Sequence, residues 1–151
     1  MPPANHDAMT TSEGIVIRLL GPNDAGVLDR VAPDVFDAAI DVRWRDEFFA
    51  DPRHHLVVAL DGGQVVGMAS GVHYVHPDKP PELWVNEISV APTHRRRGIG
   101  RALLGALFAH ARTLGCGEAW LGTDAANTAA RCLYRGAGGR EAPMVYVTFA
   151  L

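Results

Sequence analysis

Leu83-Trp84-Val85-Asn86-Glu87-Ile88-Ser89-Val90-Ala91-Pro92-Thr93-His94-Arg95-Arg96-Arg97-Gly98-Ile99-Gly100 joins a strand-like run to a glycine turn and then to an amphipathic helix. Glycines at such a turn let the backbone approach a ligand closely, and the first N–H groups of the helix are unpaired donors at its positive end. Arg95-x-x-Gly98-x-Gly100 therefore reads as a cradle for a pyrophosphate, with Arg95 and Arg101 adding charge-assisted contacts to the backbone donors of Arg96, Arg97, Gly98, Ile99, Gly100 and Arg101. A dinucleotide-binding site needs G-x-G-x-x-G early in a βαβ unit with an acidic residue about twenty positions later, which this late motif lacks. A Walker lysine is also absent.

Working outward, Leu103, Leu104, Leu107, Phe108, Ala111 and Leu114 recur at helical spacing after Ile99, and Gly115 is placed to end the helix. Upstream, Gly14–Leu20 reads as a strand followed by a turn at Gly21–Asp24, with Asn23 or Asp24 as a helix cap, and Asp34–Phe49 reads as helix between Pro33 and Pro52. His55–Leu60 and Gln64–Tyr74 flank Asp61-Gly62-Gly63 as a hairpin, and Pro77–Pro81 breaks the sheet before Leu83–Val90. Downstream, Glu118–Thr123 reads as strand, Asn127–Arg135 as helix and Met144–Phe149 as a closing strand. The fold class is α/β with a mixed sheet. Residues 14–151 are expected to form one domain, and the polar segment 1–13 a flexible tail.

The chain of 151 residues carries 14 basic and 17 acidic side chains, a formal charge of −3, which argues against a partner held by a broad basic field such as nucleic acid. Its apolar stretches are too short for a membrane span. Cys116 and Cys132 form no C-x-x-C pair and suit a reduced, cytoplasmic protein. Cys132 reads as a small core residue rather than a nucleophile. The histidines His54, His55, His73 and His76 form no recognisable ligand set, so no metal is assigned.

Ile88-Ser89-Val90-Ala91-Pro92, the arginine-glycine turn, and Asn127 followed by Leu133-Tyr134 and the glycines Gly136–Gly139 together resemble the GCN5-related N-acetyltransferase (GNAT) family. The resemblance implies a mixed central sheet splayed between its fourth and fifth strands, with acetyl-coenzyme A as donor lying in the splay. It also implies that the backbone of Ile88, Ser89 and Val90 pairs with the pantetheine arm, and that Asn127 and Tyr134 complete the coenzyme site. Val90 N–H would stabilise the developing oxyanion, and Tyr134 would protonate or hydrogen-bond the sulfur.

Glu87 lies within an otherwise apolar strand, where an acidic residue either faces water or has a task. In the cleft it would deprotonate an ammonium substrate, directly or through water. Period-two alternation groups it with Val85 and Ser89, opposite Asn86, Ile88 and Val90, unless a bulge changes the face.

Finer similarity links Leu83–Ile99 and Gly138-Gly139-Arg140-Glu141 to short aminoglycoside 3-N-acetyltransferases. That similarity implies an aminoglycoside amine, with the 3 position favoured, as acceptor in an antibiotic-resistance enzyme, and a homodimer. Candidate acceptor contacts are Glu87, Asp124 and Glu141, with Trp44, Asp46 and Glu47 on an early helix. Asn127 and Thr128 stand where those enzymes carry acidic residues, which leaves fewer carboxylates for a polycation. A protein N-terminus, a polyamine or another small amine is the alternative acceptor, and a non-catalytic coenzyme A-binding regulatory module the alternative of a different class.

Overall fold

The structure is a computed structural model that describes residues 8–151. Its centre is a six-stranded sheet in sequential order, β1 (Met9–Thr10), β2 (Val16–Leu20), β3 (His54–Asp61), β4 (Gln64–Tyr74), β5 (Glu82–Val90) and β6 (Glu118–Trp120). The first five strands pair antiparallel, while β5 and β6 pair parallel, so the sheet is mixed as expected. The hairpin between β3 and β4 turns at Gly62 (φ 54°) and Gly63 (φ 79°), the left-handed conformation that a tight connection requires.

Three helices flank the sheet: α1 (Val42–Ala50), α2 (Ile99–Thr113) and α3 (Thr128–Gly136). Leu103, Leu104, Leu107 and Ala111 of α2 are buried against β3 and β4, where Val57, Val58, Ala59, Val65 and Val66 are fully enclosed. Glycine is needed at Gly67, because a Cβ there would stand 3.2 Å from Leu103 Cδ1 and 3.1 Å from the Ser89 carbonyl oxygen. Gly115 (φ 79°) follows the end of α2 in the left-handed conformation.

Five expectations change. The helix read over Asp34–Phe49 begins only at Val42, because Asp41 caps it through the Arg43 N–H and Asp34 adopts φ 63°, which no helix accommodates. The segment after Gly21 is a 3-10 turn, Ala25–Asp29, and the Asp24 carboxylate accepts from Gly21 N–H and Arg18 rather than capping it. The strand read over Glu118–Thr123 stops at Trp120, and Met144–Phe149 pairs with no strand. Of the expected tail, residues 1–7 lie outside the described residues, whereas Met9 and Thr10 pair with Ile17 and Val16 as β1.

Where β5 begins, a polar network joins three strands. Tyr74 donates to Glu82 at 2.8 Å, Trp120 Nε1 donates to the Tyr74 hydroxyl at 2.5 Å, Lys79 also bonds Glu82, and the Trp84 and Trp120 rings meet edge to face. No helix among the described residues is long and apolar enough to cross a membrane.

Beneath α2, His55 Nε2 lies 2.7 Å from His73 Nδ1, and His55 Nδ1 lies 3.0 Å from His110 Nε2. Burial pushes the His55 pKa down to about 4, helped by His110, His73 and His54 and opposed by Asp51. The folded state therefore holds His55 neutral, while the unfolded chain binds its proton near pH 6.5. Stability is full above that pH and declines toward pH 4. Between pH 7 and pH 5 the loss is about 2 kcal/mol, or several degrees in Tm. Thermal melts should show this fall in the wild type and a flatter dependence in His55→Gln; equal slopes would contradict it.

Candidate functional site

After Trp84, β5 has only β4 beside it, since β6 pairs with Glu82–Trp84 alone. With the two-residue β1 left out, β5 and β6 are the fourth and fifth strands, so the sheet parts where the splay is expected. Ala91 N–H donates to the Val66 carbonyl at 2.8 Å, and the alternation of an antiparallel ladder then turns the peptide groups of Val90 away from β4. In keeping with this, Val90 O accepts from Arg95 Nε at 3.1 Å. The Val90 N–H faces the open side.

Directly beyond, the turn into α2 holds Arg96 at φ 63° and Gly98 at φ 75°. Keeping a non-glycine residue there stores strain of order 1 kcal/mol or more, a cost most often found where backbone geometry serves a ligand. Gly98 is the N-cap of α2 and no side chain caps it, so the first N–H groups of a 15-residue helix are free to meet an anion. Gly100 packs closely on α3: a Cβ there would stand 3.2 Å from Leu133 Cδ2, so the leucine side chain would have to shift. Among the described residues, the arginines divide between tasks. Arg95 ties the turn to β5, Arg97 pairs with Glu13, and Arg96 and Arg101 carry no ion pair.

The bulge in β5 decides where Glu87 points. Gly71 pairs with Val85 but Ser70 pairs with Glu87, leaving Asn86 without a partner. Glu87 thereby leaves the face of Val85, which packs under α2, and joins Ser89 and Met68 on the other side. A cavity of about 270 Å³ opens there, lined by Val35, Asp37, Met68, Asn86, Glu87, Ile88, Ser89 and Tyr134. Its floor is fixed by the Ser89 hydroxyl, which donates to the Val35 carbonyl.

Desolvation raises the Glu87 pKa above the ordinary carboxyl value, and the negative charge of Asp37 raises it further. Tyr134 is half-buried, its pKa is raised by desolvation, and its hydroxyl has no hydrogen-bond partner among the described residues. A carboxyl group adapted to hold a proton and an unengaged phenol thus share one cleft beside the outward-facing edge of β5.

The other expected residues make contacts within the chain or stand away from the cavity. Asn127 caps α3, its Oδ1 accepting from Ala130 N–H at 3.1 Å, and Asp124 accepts from Ala126 N–H at 2.8 Å in the preceding turn. Glu141 is held by Arg131 at 2.8 Å and Arg135 at 3.0 Å, which keep its pKa down to about 2. Trp44 is exposed under the Arg43 guanidinium, Asp46 pairs with Arg45, and neither they nor Glu47 line the cavity. Cys132, read as a core residue, is exposed.

Asp37 is the residue that sequence reasoning passes over. A carboxylate inside the apolar run Val35–Ile40 is the one signal for it, and the helical reading of Asp34–Phe49 turns that signal into an ordinary solvated face.

The profile of the Acetyltransferase (GNAT) family matches residues 27–138. The N-alpha-acetyltransferase RimI of Mycobacterium tuberculosis is 40% identical over 89 residues, 59% of this chain and 54% of that protein. The chain thus spans about half the length of this curated relative, and less of several others. An aminoglycoside acetyltransferase, meta-AAC0020 from an uncultured soil metagenomic sample, solved in complex with trehalose, matches with TM-score 0.81 at 20% identity over 93% of this chain and 98% of its own. AAC(6')-Iy in complex with the bisubstrate analogue CoA-S-monomethyl-acetylneamine matches with TM-score 0.75 at 20% identity over 91% and 98%. At these identities the superpositions establish a shared fold.

The electrostatics of the cleft can be read directly. A carbon-detected NMR titration should give Glu87 a midpoint above that of the exposed glutamates, and Asp37→Asn should lower it. A midpoint that stays put or rises in the variant would contradict the coupling of the two carboxylates.

Proposed function

The chain belongs to the acetyltransferase (GNAT) family, and from that membership we propose that it transfers an acetyl group from acetyl-coenzyme A directly to a primary amine. The observation that carries the reading is the meeting of Glu87 and Tyr134 in one cleft beside the unpaired edge of β5. The chain's own groups fit the donor. The uncapped N–H groups of α2 with Arg96 and Arg101 suit a pyrophosphate, and the outward peptide groups of β5 suit an amide-bearing arm added like a strand. Bound there, acetyl-coenzyme A supplies the activated acyl group.

An amine acceptor arrives as an ammonium ion and must lose a proton before it can attack. Glu87 takes that proton, and its raised pKa brings proton affinity closer to neutrality than an ordinary carboxylate offers. The Val90 N–H donates to the thioester oxygen as negative charge develops on it. The Tyr134 hydroxyl, free of other partners, donates to the departing sulfur.

Asp37 and Glu87 make the acceptor side of the cleft anionic, which favours a polycationic amine. An aminoglycoside is the acceptor we propose first, the 3-amine being the position suggested by the likeness around Glu87. The alternative is a peptide N-terminus. It is favoured by the 40% identity to RimI and by the engagement of Glu141 and Asp124 in contacts of their own.

Purified protein with acetyl-coenzyme A should release thiol with gentamicin, sisomicin or kanamycin, and NMR of the product should locate the acetyl group. Turnover of peptides alone would transfer the proposal to the N-terminal amine. Coenzyme binding without turnover of aminoglycosides, peptides or polyamines would replace it with a regulatory module. Glu87→Gln should lower kcat roughly 10²-fold or more, with partial recovery at higher pH and unchanged coenzyme affinity. Near-normal turnover at neutral pH would reject the base. Tyr134→Phe should reduce kcat by about tenfold or more at constant coenzyme affinity if the phenol serves the leaving sulfur; an unchanged kcat would remove it from that role.

A further inference from the structure

The face of the sheet that carries Glu87 continues past the cleft toward the start of β5. Val85 is buried under α2, so the alternation of the strand places Trp84 and Asn86 on the opposite face, the one that the bulge gives to Glu87. Asn86 lines the cavity and its Oδ1 accepts from Trp84 Nε1 at 3.4 Å, so the indole extends the cavity wall. In the parallel register Trp120 of β6 stands beside Trp84, with 4.2 Å between the ring centroids.

Both rings are held in place, and their polar atoms are already engaged. Trp84 N–H donates to Asn86, and Trp120 N–H donates to the Tyr74 hydroxyl, which itself donates to Glu82. A ligand arriving here meets π surface rather than a free N–H. Trp120 is 38% exposed and Trp84 is half-buried. Gly122 leaves the end of the Trp84 ring bare, since a Cβ there would lie 3.8 Å from Cη2 in ordinary contact. The backbone does not demand glycine at this position, because Gly122 is not among the residues with positive φ.

The charges around the rings suit a cation. Glu82 and Glu118 are register partners at the start of β5 and β6, against the single ammonium of Lys79 bonded to Glu82. Tryptophan attracts cations more strongly than other aromatic rings, and more so where water is partly excluded. Trp84 precedes Glu87 by three residues, which at about 3.3 Å per residue sets the rings up to roughly 10 Å from the carboxylate.

Resting on the acetyl-transfer reading above, we propose that Trp84 and Trp120 form a second acceptor subsite, which takes a positively charged group of the acceptor up to roughly 10 Å from the amine presented to Glu87. The acceptor class is then an amine with at least two cationic centres. An anionic cleft by itself draws any cation, whereas the indole pair fixes the distance between two. An N-terminal amine without a second cation leaves the subsite empty.

The indole N–H signals of ¹⁵N-labelled protein, assigned with Trp44→Phe, Trp84→Phe and Trp120→Phe, report on the subsite without requiring turnover. With coenzyme A present, sisomicin and spermidine should each move the signals of Trp84 and Trp120 and leave that of Trp44 still, while n-butylamine, with one cation, should move none of them at the same concentration. Gly122→Leu, which covers the ring end, should weaken binding of both polyamines roughly fivefold or more, with coenzyme A affinity and far-ultraviolet circular dichroism as in the wild type. Trp84→Leu should weaken them equally, and Trp84→Phe should recover part of the loss. Indole signals that stay still under both polyamines, or polyamine affinities indifferent to Gly122→Leu and Trp84→Leu, would overturn the subsite. Indole shifts without thiol release would keep the subsite and remove the transfer reading. Thiol release from either polyamine with wild-type KM in both variants would do the reverse.

Discussion

From Val85 to Val90 β5 has one neighbour instead of two, and the site follows from that shortage. A strand inside a sheet satisfies its peptide groups on both sides, and one that loses a neighbour must find water, side chains or a ligand for the exposed side. Here the Tyr74–Glu82–Trp120 network holds β6 to β5 as far as Trp84, after which, among the described residues, Arg95 reaches the outer side at Val90 O. A few residues further on, α2 begins with no side chain to cap it. Two sets of unpaired backbone donors lie in sequence along one path, the first suited to an extended amide-bearing arm and the second to a phosphate.

The bulge at Asn86 sets a titratable carboxyl beside this open edge. Without it, Glu87 would follow Val85 toward the apolar underside of α2, where an unpaired carboxylate is costly. With it, the carboxyl enters an open cleft opposite Asp37, and partial desolvation together with a like charge makes its proton harder to lose. The cleft beside Glu87 and Asp37 is therefore anionic, whereas the start of α2 with Arg96 and Arg101 is cationic, which under the proposed function would draw an ammonium to the first and a pyrophosphate to the second.

Much of this can be read from residue order. Local signals recover the glycine turn, the hairpin at Gly62-Gly63, the periodicity of α2 and its stop at Gly115, since each depends on residues within a few positions. What escapes is set by pairing at a distance. The bulge arises from register between β4 and β5, and Asp37 enters the cleft because Ser89 holds the Val35 backbone, a contact across 54 positions. Glu141 looks available as an acceptor contact until Arg131 and Arg135 of α3 are found to hold it. The closing strand Met144–Phe149 has strand chemistry but no strand beside it in the single chain, and no local pattern supplies that information.

Amide shift mapping tests the central claim most directly, because it reports where coenzyme A binds without requiring a known acceptor. Titrated into ¹⁵N-labelled protein, coenzyme A should move the amides of Ile88–Val90 and of Arg96–Arg101 most, and leave those of His55 and His73 in β3 and β4 and of His110 near the end of α2 nearly still. No binding, or shifts that bypass both the outer edge of β5 and the start of α2, would contradict the account.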